Sequence, residues 1–327
     1  MGNRKTRLVL ALLAIGCFLY IGRNYLDQLH RITDAHLAAV GCMALVHLLT
    51  LWLQGLTVKW GLDAFEKSIS GTESFVLYVI SSYANLLLPR SGVGTTAVYL
   101  NRVHKSSLID YSSVVLVNGA LFVLACSAVA GVYLGIDWLA DGNPLPIWLA
   151  TSILGLLIAS VLAVVIDWRF LNRYQGPASG LIKKLNHAMT QLRASPTRSI
   201  SRMALAHFVL VFLRALRLYF AFWALGISMP FFGVLLMSVL GDLAFVFAIT
   251  PGAVGFREAA IALAATRLGV PVSLALSVAV LDRLIFSLTV VITSQVLIAG
   301  GIQGSGSGSG WSRKRNPVAN NEQVPKP

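Results

Sequence analysis

Acidic residues are scarce in this chain: 13 Asp and Glu stand against 26 Lys and Arg in 327 residues, and charged residues of either sign make up only 12%. Cysteine is scarcer still. Cys17, Cys42 and Cys126 all fall in apolar runs, their number is odd and no CxxC spacing occurs, so a disulfide framework is not expected. The 6 histidines are scattered, with no HxxxH pair and no adjoining carboxylate cluster, so neither a metal site nor a cofactor is expected. There is no DxD, no GxSxG and no P-loop, and no polar stretch is long enough to house a soluble active site. An enzyme is therefore not expected, and nothing suggests coupling to ATP.

What the chain has in quantity is apolar sequence. Hydrophobic residues make up 56%, the mean hydropathy is +0.74, and long apolar runs recur, as in polytopic membrane proteins. The net charge of +13 would suggest nucleic acid in a soluble protein. Here the excess sits in connecting segments and termini, where the positive-inside rule accounts for it. Aromatic and basic residues do not interleave as in a stacking groove, so no nucleic-acid partner is expected.

One stretch departs from the lipid-facing pattern. Residues 245–287 are strongly apolar, yet Thr250, Pro251, Gly252 and Gly255 break the run, and Arg257-Glu258 and Asp282-Arg283 put charge into it. Helix breakers are tolerated at membrane depth only where backbone is buried in protein or lines a cavity. Ionisable residues there are costly and face the bundle interior or a pathway. A looser copy lies at 84–124, where Pro89, Gly92 and Gly94 parallel Pro251, Gly252 and Gly255. Paired Gly/Pro interruptions in the two halves of a chain point to a transporter-type site.

Read in order, basic residues at 4, 5 and 7 precede an apolar run at 8–22, taken as an uncleaved first helix with its N-terminus inside. A second span is expected at 35–56, followed by a mixed-charge loop holding Lys59 and Lys67. Residues 73–88 and 95–100 read as the arms of a hairpin that enters and leaves on the cytoplasmic side, and 112–134 crosses outward. Asp137 and Asp141 mark an outer loop at 135–146, and 147–166 crosses back. The segment 167–202 carries seven basic residues, Arg169, Arg173, Lys183, Lys184, Arg193, Arg198 and Arg202, and is placed inside. Its apolar positions 181–192 recur at helical spacing, which suits either a helix on the anionic inner leaflet or a solvated connector. Then 203–225 crosses outward, 231–250 and 256–268 form a second hairpin, and 272–299 crosses inward. The Gly/Ser run 304–310 and the polar, basic end to 327 form an expected disordered cytoplasmic tail. The fold expected is an all-α polytopic membrane domain over 1–303, with about six full spans and two re-entrant helical hairpins. The hairpins open to opposite sides, as an inverted repeat requires. If they cross instead, the count rises to about eight to ten.

Each ionisable group at depth costs from about 2.5 to over 10 kcal/mol and needs a partner or a ligand. Glu258 and Asp282 can neutralise Arg257 and Arg283, and Asp242 can pair with Arg214 or Arg217. Arg90, in the first break, has no acid near it in sequence. Cations then exceed anions, which suits an anionic substrate, above all a phosphate, because guanidinium binds phosphate bidentately. Backbone N–H groups at helix starts near Gly94 and Gly255 would add donors. The plainer alternatives are that Arg257-Glu258 and Asp282-Arg283 are buried pairs fixing helix packing, that Arg90 snorkels to the inner headgroups, and that Asn85 and Asn118 are interhelical hydrogen-bond glue. Trp52, Trp60, Trp138, Trp148 and Trp168 read as interface anchors near span ends.

The stretch TPGAVGFREAAIALAATRLGVPVSLALSVAVLDRLIFSL (250–288) resembles the closing motif of the lysylphosphatidylglycerol synthase transmembrane-region family, the flippase-like integral membrane proteins. LLPRSGVGTTAVYLNRVHKSSLIDYSSVV (87–115) is similar to that family's first proline-glycine motif. The resemblance implies a multi-pass inner-membrane protein that moves, or supports synthesis of, lipids with modified headgroups, such as aminoacylated phosphatidylglycerol, hopanoids or polyprenyl-linked sugars. The second motif carries over at Pro251, Gly252, Gly255, Arg257, Glu258 and Arg283. The first departs from it. Thr95 and Thr96 stand where members commonly have an acidic residue, and Val117-Asn118 lies near the place of a Glu-Arg pair. No stretch has the size of a cytoplasmic aminoacyl-transferase domain, so the chain is not expected to make lysyl-lipid itself.

The resulting expectation is translocation of a lipid with an anionic or modified headgroup across the inner membrane, with both termini cytoplasmic. The substrate-binding residues expected are Arg90, Gly92, Gly94, Arg214, Arg217, Pro251, Gly252, Gly255, Arg257, Glu258, Asp282 and Arg283. The alternative is a non-catalytic membrane scaffold that holds an envelope glycosyltransferase or lipid-modifying enzyme through 167–202. An ion-coupled small-solute transporter is a third reading compatible with the repeat.

Overall fold

The computed structural model describes residues 35–88, 91–141, 147–165, 183, 186, 187, 190, 197–244 and 255–300. Several expectations lie outside the described residues: the first span at 8–22, Pro89 and Arg90, the break holding Pro251 and Gly252, nearly all of the basic segment before 197, and the tail. All the described elements are helices, and no strand occurs among the described residues.

The chain forms α1 (Leu37–Asp63), α2 (Gly71–Leu87), α3 (Ser91–His104), α4 (Leu108–Asp141), α5 (Ile147–Val165), α6 (Thr197–Ala224), α7 (Phe231–Ala244), α8 (Phe256–Arg267) and α9 (Val272–Ala299). Among the described residues four stretches are long and apolar enough to cross a membrane: α1, Leu108–Ile136 of α4, Ser199–Ala224 of α6, and α9. The chain is thus a multi-pass helical membrane protein. The expected crossing at 147–166 is the 19-residue α5, whose apolar part among the described residues is the shorter Ala150–Leu162.

Several boundaries move relative to the sequence reading. The helix at 35–56 continues to Asp63, so Lys59 lies on α1 and not in a loop. It pairs one turn on with Asp63 at 3.3 Å, a contact that supports helix beyond the apolar run. Trp52 consequently sits near the middle of α1, packed on the ring of Phe75 at 5.5 Å, and not at a span end. The helix at 112–134 extends over Leu108–Asp141 and takes in Asp137 and Asp141 from the expected loop. The helix at 203–225 begins at Thr197 and takes in Arg198 and Arg202.

The long helices frame two short helical hairpins. The backbone N–H of His36 donates to Ala224 O at 3.0 Å, so α1 begins where α6 ends. At that end Ala39, Met43, Leu218, Phe222, Val234, Met237, Ile261, Val270 and Val278 form one core that holds the α7–α8 hairpin. At the opposite end of α1, Leu62 joins Leu77, Leu100, Tyr111, Val114 and Met203, and this core holds the α2–α3 hairpin. With 27 residues α1 is about 40 Å long, so the hairpins are based at opposite ends of the bundle. The arms α3 and α7 have 14 residues each and α8 has 12, which is about 18–21 Å, short of the roughly 30 Å of a hydrocarbon core. Between the two ends Leu51, Val79 and Val290 pack α1, α2 and α9 together, with Leu86 and Phe286 against them.

Close approach in the first hairpin depends on glycine. A Cβ on Gly92 would collide with the Ser81 carbonyl and hydroxyl of α2, while one on Gly55 of α1 would come within 2.9 Å of Ser74 O. Where lipid supplies no hydrophobic drive between helices, such backbone contacts set which faces meet.

Candidate functional site

The charged side chains of the second half meet in one buried network. α6 presents Arg214 and Arg217 less than a turn apart, α7 presents Asp242 near its C-terminus, α8 starts with Arg257 and Glu258, and α9 carries Asp282 and Arg283 at its tenth step and beyond. Arg217 grips Asp282 with two bonds, Nε to Oδ1 at 2.7 Å and Nη2 to Oδ2 at 3.0 Å. Arg257 Nη1 donates to the same Oδ2 at 2.7 Å. Asp242 lies between Arg214, whose Nη1 donates to Oδ2 at 3.1 Å, and Arg257, whose Nε stands 3.6 Å from Oδ1. Asp282 is entirely buried, and Arg217, Arg257 and Asp242 nearly so.

His47 of α1 completes the network. Arg217 Nη1 lies 2.9 Å from His47 Nδ1. A guanidinium only donates, so Nδ1 accepts and the ring proton sits on Nε2. That nitrogen is buried and has no hydrogen-bond partner among the described residues, and the same holds for Arg257 Nη2. Phe286 closes this side, with its ring 4.7 Å from that of His47 and 5.5 Å from the Arg217 guanidinium.

The pairs are crossed between helices, and not formed between sequence neighbours. Arg257 goes to Asp282 and Arg283 Nη1 goes to Glu258 Oε1 at 2.9 Å. Successive helical residues point about 100° apart, so Arg257 cannot turn to Glu258 while both face α9. Asp242 pairs with Arg214, one of the two partners expected for it, and Arg217 takes Asp282 instead.

The helix starts offer fewer free donors than the sequence suggests. Glu258 Oε2 accepts the Gly255 N–H at 2.8 Å, as an acid three residues into a helix does. Gly255 itself has φ 87°, a conformation glycine adopts without steric cost. In the first half α3 starts at Ser91, not at Thr95, so Gly92 and Gly94 are helical residues. Asn85 Oδ1 accepts the Gly92 N–H at 2.9 Å and Leu88 O accepts that of Ser91 at 3.2 Å. Asn85 thus ties the two arms of a hairpin, while Asn118 is interhelical glue as read, 3.0 Å from His207 Nε2 between α4 and α6.

The network lies deep. Asp282 is ten residues past Val272, His47 ten past Leu37 and Arg217 seven before Ala224, which puts them about 10–15 Å from the helix ends that meet there. The first-half glycines Gly92 and Gly94 do not touch it. The sequence reading missed His47, because its partner is 170 residues away, although an ionisable residue inside an apolar run was the available signal. It also missed a second cluster at the base of the α2–α3 hairpin, where buried Glu73 Oε1 accepts the Tyr99 hydroxyl at 2.8 Å and meets His104 Nε2 at 2.6 Å.

The family described as the lysylphosphatidylglycerol synthase TM region matches residues 7–293, and the chain belongs to that family. It is a membrane protein of lipid metabolism or transport. No curated protein and no solved structure matches it.

Proposed function

We propose that the chain moves a lipid with an anionic or modified headgroup across the inner membrane, without catalysing a covalent step and without a cofactor. In this reading the α2–α3 and α7–α8 hairpins re-enter the bilayer from opposite faces, both termini are cytoplasmic, and the headgroup passes the network while the tails stay in lipid. The observation that carries the reading is the buried charge balance. Among the described residues Arg214, Arg217 and Arg257 share two carboxylates, Asp242 and Asp282, at a depth of about half a hydrocarbon core. A pure packing device is better built from matched pairs, because each uncompensated buried charge is costly. An anionic headgroup restores the balance in passing.

The test is leaflet exchange in liposomes carrying fluorescent phospholipid and polyprenyl-phosphate reporters, read by dithionite quenching. Wild type is expected to exchange at least one reporter faster than empty vesicles, and Arg257→Glu to lose the gain at matched incorporation. Equal rates with and without protein for every reporter would overturn translocation. They would favour a scaffold for an envelope glycosyltransferase or lipid-modifying enzyme.

A further inference from the structure

The cluster at the base of the α2–α3 hairpin lies apart from the buried network. Glu73 is the third residue of α2, and its backbone N–H donates to the hydroxyl of the capping Ser70 at 3.0 Å. A glutamate so placed ordinarily turns its side chain back to the N–H of the capping serine. Here the side chain crosses to α3 instead, where Oε1 accepts the Tyr99 hydroxyl at 2.8 Å and meets His104 Nε2 at 2.6 Å. An ionised carboxylate only accepts, so Nε2 carries a hydrogen whatever the charge of the ring, and the proton gained or lost sits on Nδ1. The turn beside the pair is under strain. Lys105 has φ 53°, a left-handed conformation that costs a residue with a Cβ, and the buried Ser106 hydroxyl has no partner among the described residues.

Charge decides what closing this pair requires. Buried Glu73 beside a neutral imidazole leaves one uncompensated negative charge, whereas one added proton makes a neutral ion pair. The surrounding elements do not supply the missing charge. Lys59 of α1 is paired with Asp63 at 3.3 Å, and of the residues after α1 Glu66 is exposed and Lys67 half-buried. On α4, Asp110 accepts the Ser107 N–H at 3.2 Å and Tyr111 lies in the core. Arg102, Lys105 and Arg202 are exposed, and α9 carries no charged residue beyond Arg283. We infer that Glu73 and His104 form a proton-binding site that holds the base of the α2–α3 hairpin shut, taking up one proton as the hairpin closes and releasing it as the hairpin opens. The His104 side chain is 19% exposed, so water delivers the proton directly. On opening, the carboxylate returns to the Ser70 N–H and His104 turns to solvent. The closed form holds the extra proton, so its stabilisation is complete below about pH 6.5, where a free imidazole is itself protonated, and is lost as the pH rises above that. This property does not depend on what the chain moves.

The experiment is hydrogen exchange of the purified full chain in nonionic detergent, read by mass spectrometry between about pH 5.5 and 8.5 and corrected for the intrinsic pH dependence of amide exchange. In wild type, protection of peptides within 91–107 is expected to fall as the pH rises, by up to about tenfold per pH unit, the slope that one proton gives. Peptides from α8, 256–267, are the control and should show no such slope. Glu73→Gln keeps the shape and an acceptor oxygen without the charge, and His104→Gln keeps a donor without a titrating ring. Both are expected to be flat over the same range. A flat wild type, a slope of opposite sign, or the same slope in α8 would overturn the site, as would either variant keeping the wild-type slope. The wild-type slope and its α8 control decide the matter even where a variant folds poorly.

Discussion

Replacing Asp282 with asparagine removes the fully buried carboxylate that Arg217 and Arg257 share. Asp282 has 0% exposure and accepts three bonds of 2.7–3.0 Å, two from Arg217 and one from Arg257. The amide keeps one acceptor oxygen but loses the charge, so three buried cations face Asp242 alone. Breaking a buried pair while leaving its partner costs about 3–5 kcal/mol, and each charge-assisted bond about 1.5–3 kcal/mol. The amide recovers part of one bond, so the expected loss is about 3–5 kcal/mol. The assay is reversible unfolding in mixed detergent micelles, followed by helical circular dichroism. Adding Arg217→Gln restores the original excess of a single cation, since Arg214 and Arg257 then face Asp242. The double variant should therefore lose less than the sum of the singles, by about 1–3 kcal/mol. Additive losses, or an Asp282→Asn variant within about 0.5 kcal/mol of wild type, would refute the network as described.

Two further predictions concern the first hairpin. Gly92→Ala and Gly94→Ala should part company although the motif treats both glycines alike. The first drives a Cβ into the Ser81 backbone and should cost about 1–3 kcal/mol, whereas the second meets nothing within 4 Å and should gain about 0.5–1 kcal/mol in the same unfolding assay. Glu73→Ala frees the Tyr99 hydroxyl and His104 at the open end of the hairpin, and limited proteolysis at the 105–107 turn should accelerate severalfold while cleavage elsewhere is unchanged.

The helices were largely legible because their signals are local. The long apolar run read at 272–299 is α9, Val272–Ala299, and the break read at Gly255 lies just ahead of α8 at Phe256. Ends were less legible where charge, not apolarity, extended a helix: Lys59 with Asp63 carried α1 past residue 56. The residues of the network were mostly named in advance, since ionisable groups in apolar runs are few. Their pairing was not. A sequence shows that Arg257 and Glu258 are adjacent, but helical geometry turns them apart, and each finds its partner 25 residues away. His47 carried no local mark beyond its presence in an apolar run, and its role rests on a contact between α1 and α6 that only the fold provides.

The same geometry argues that the two hairpins serve one place. They are based at opposite ends of a helix about 40 Å long, and each has an arm of about 21 Å directed toward its middle. Phe286 packs, as Leu86 does, on the core of Leu51, Val79 and Val290, and it faces His47 and Arg217 at the edge of the network. The ion pairs of the network belong to the second half of the chain, while His47 and the Phe122 ring, 4.9 Å from the Arg214 guanidinium, reach it from the first.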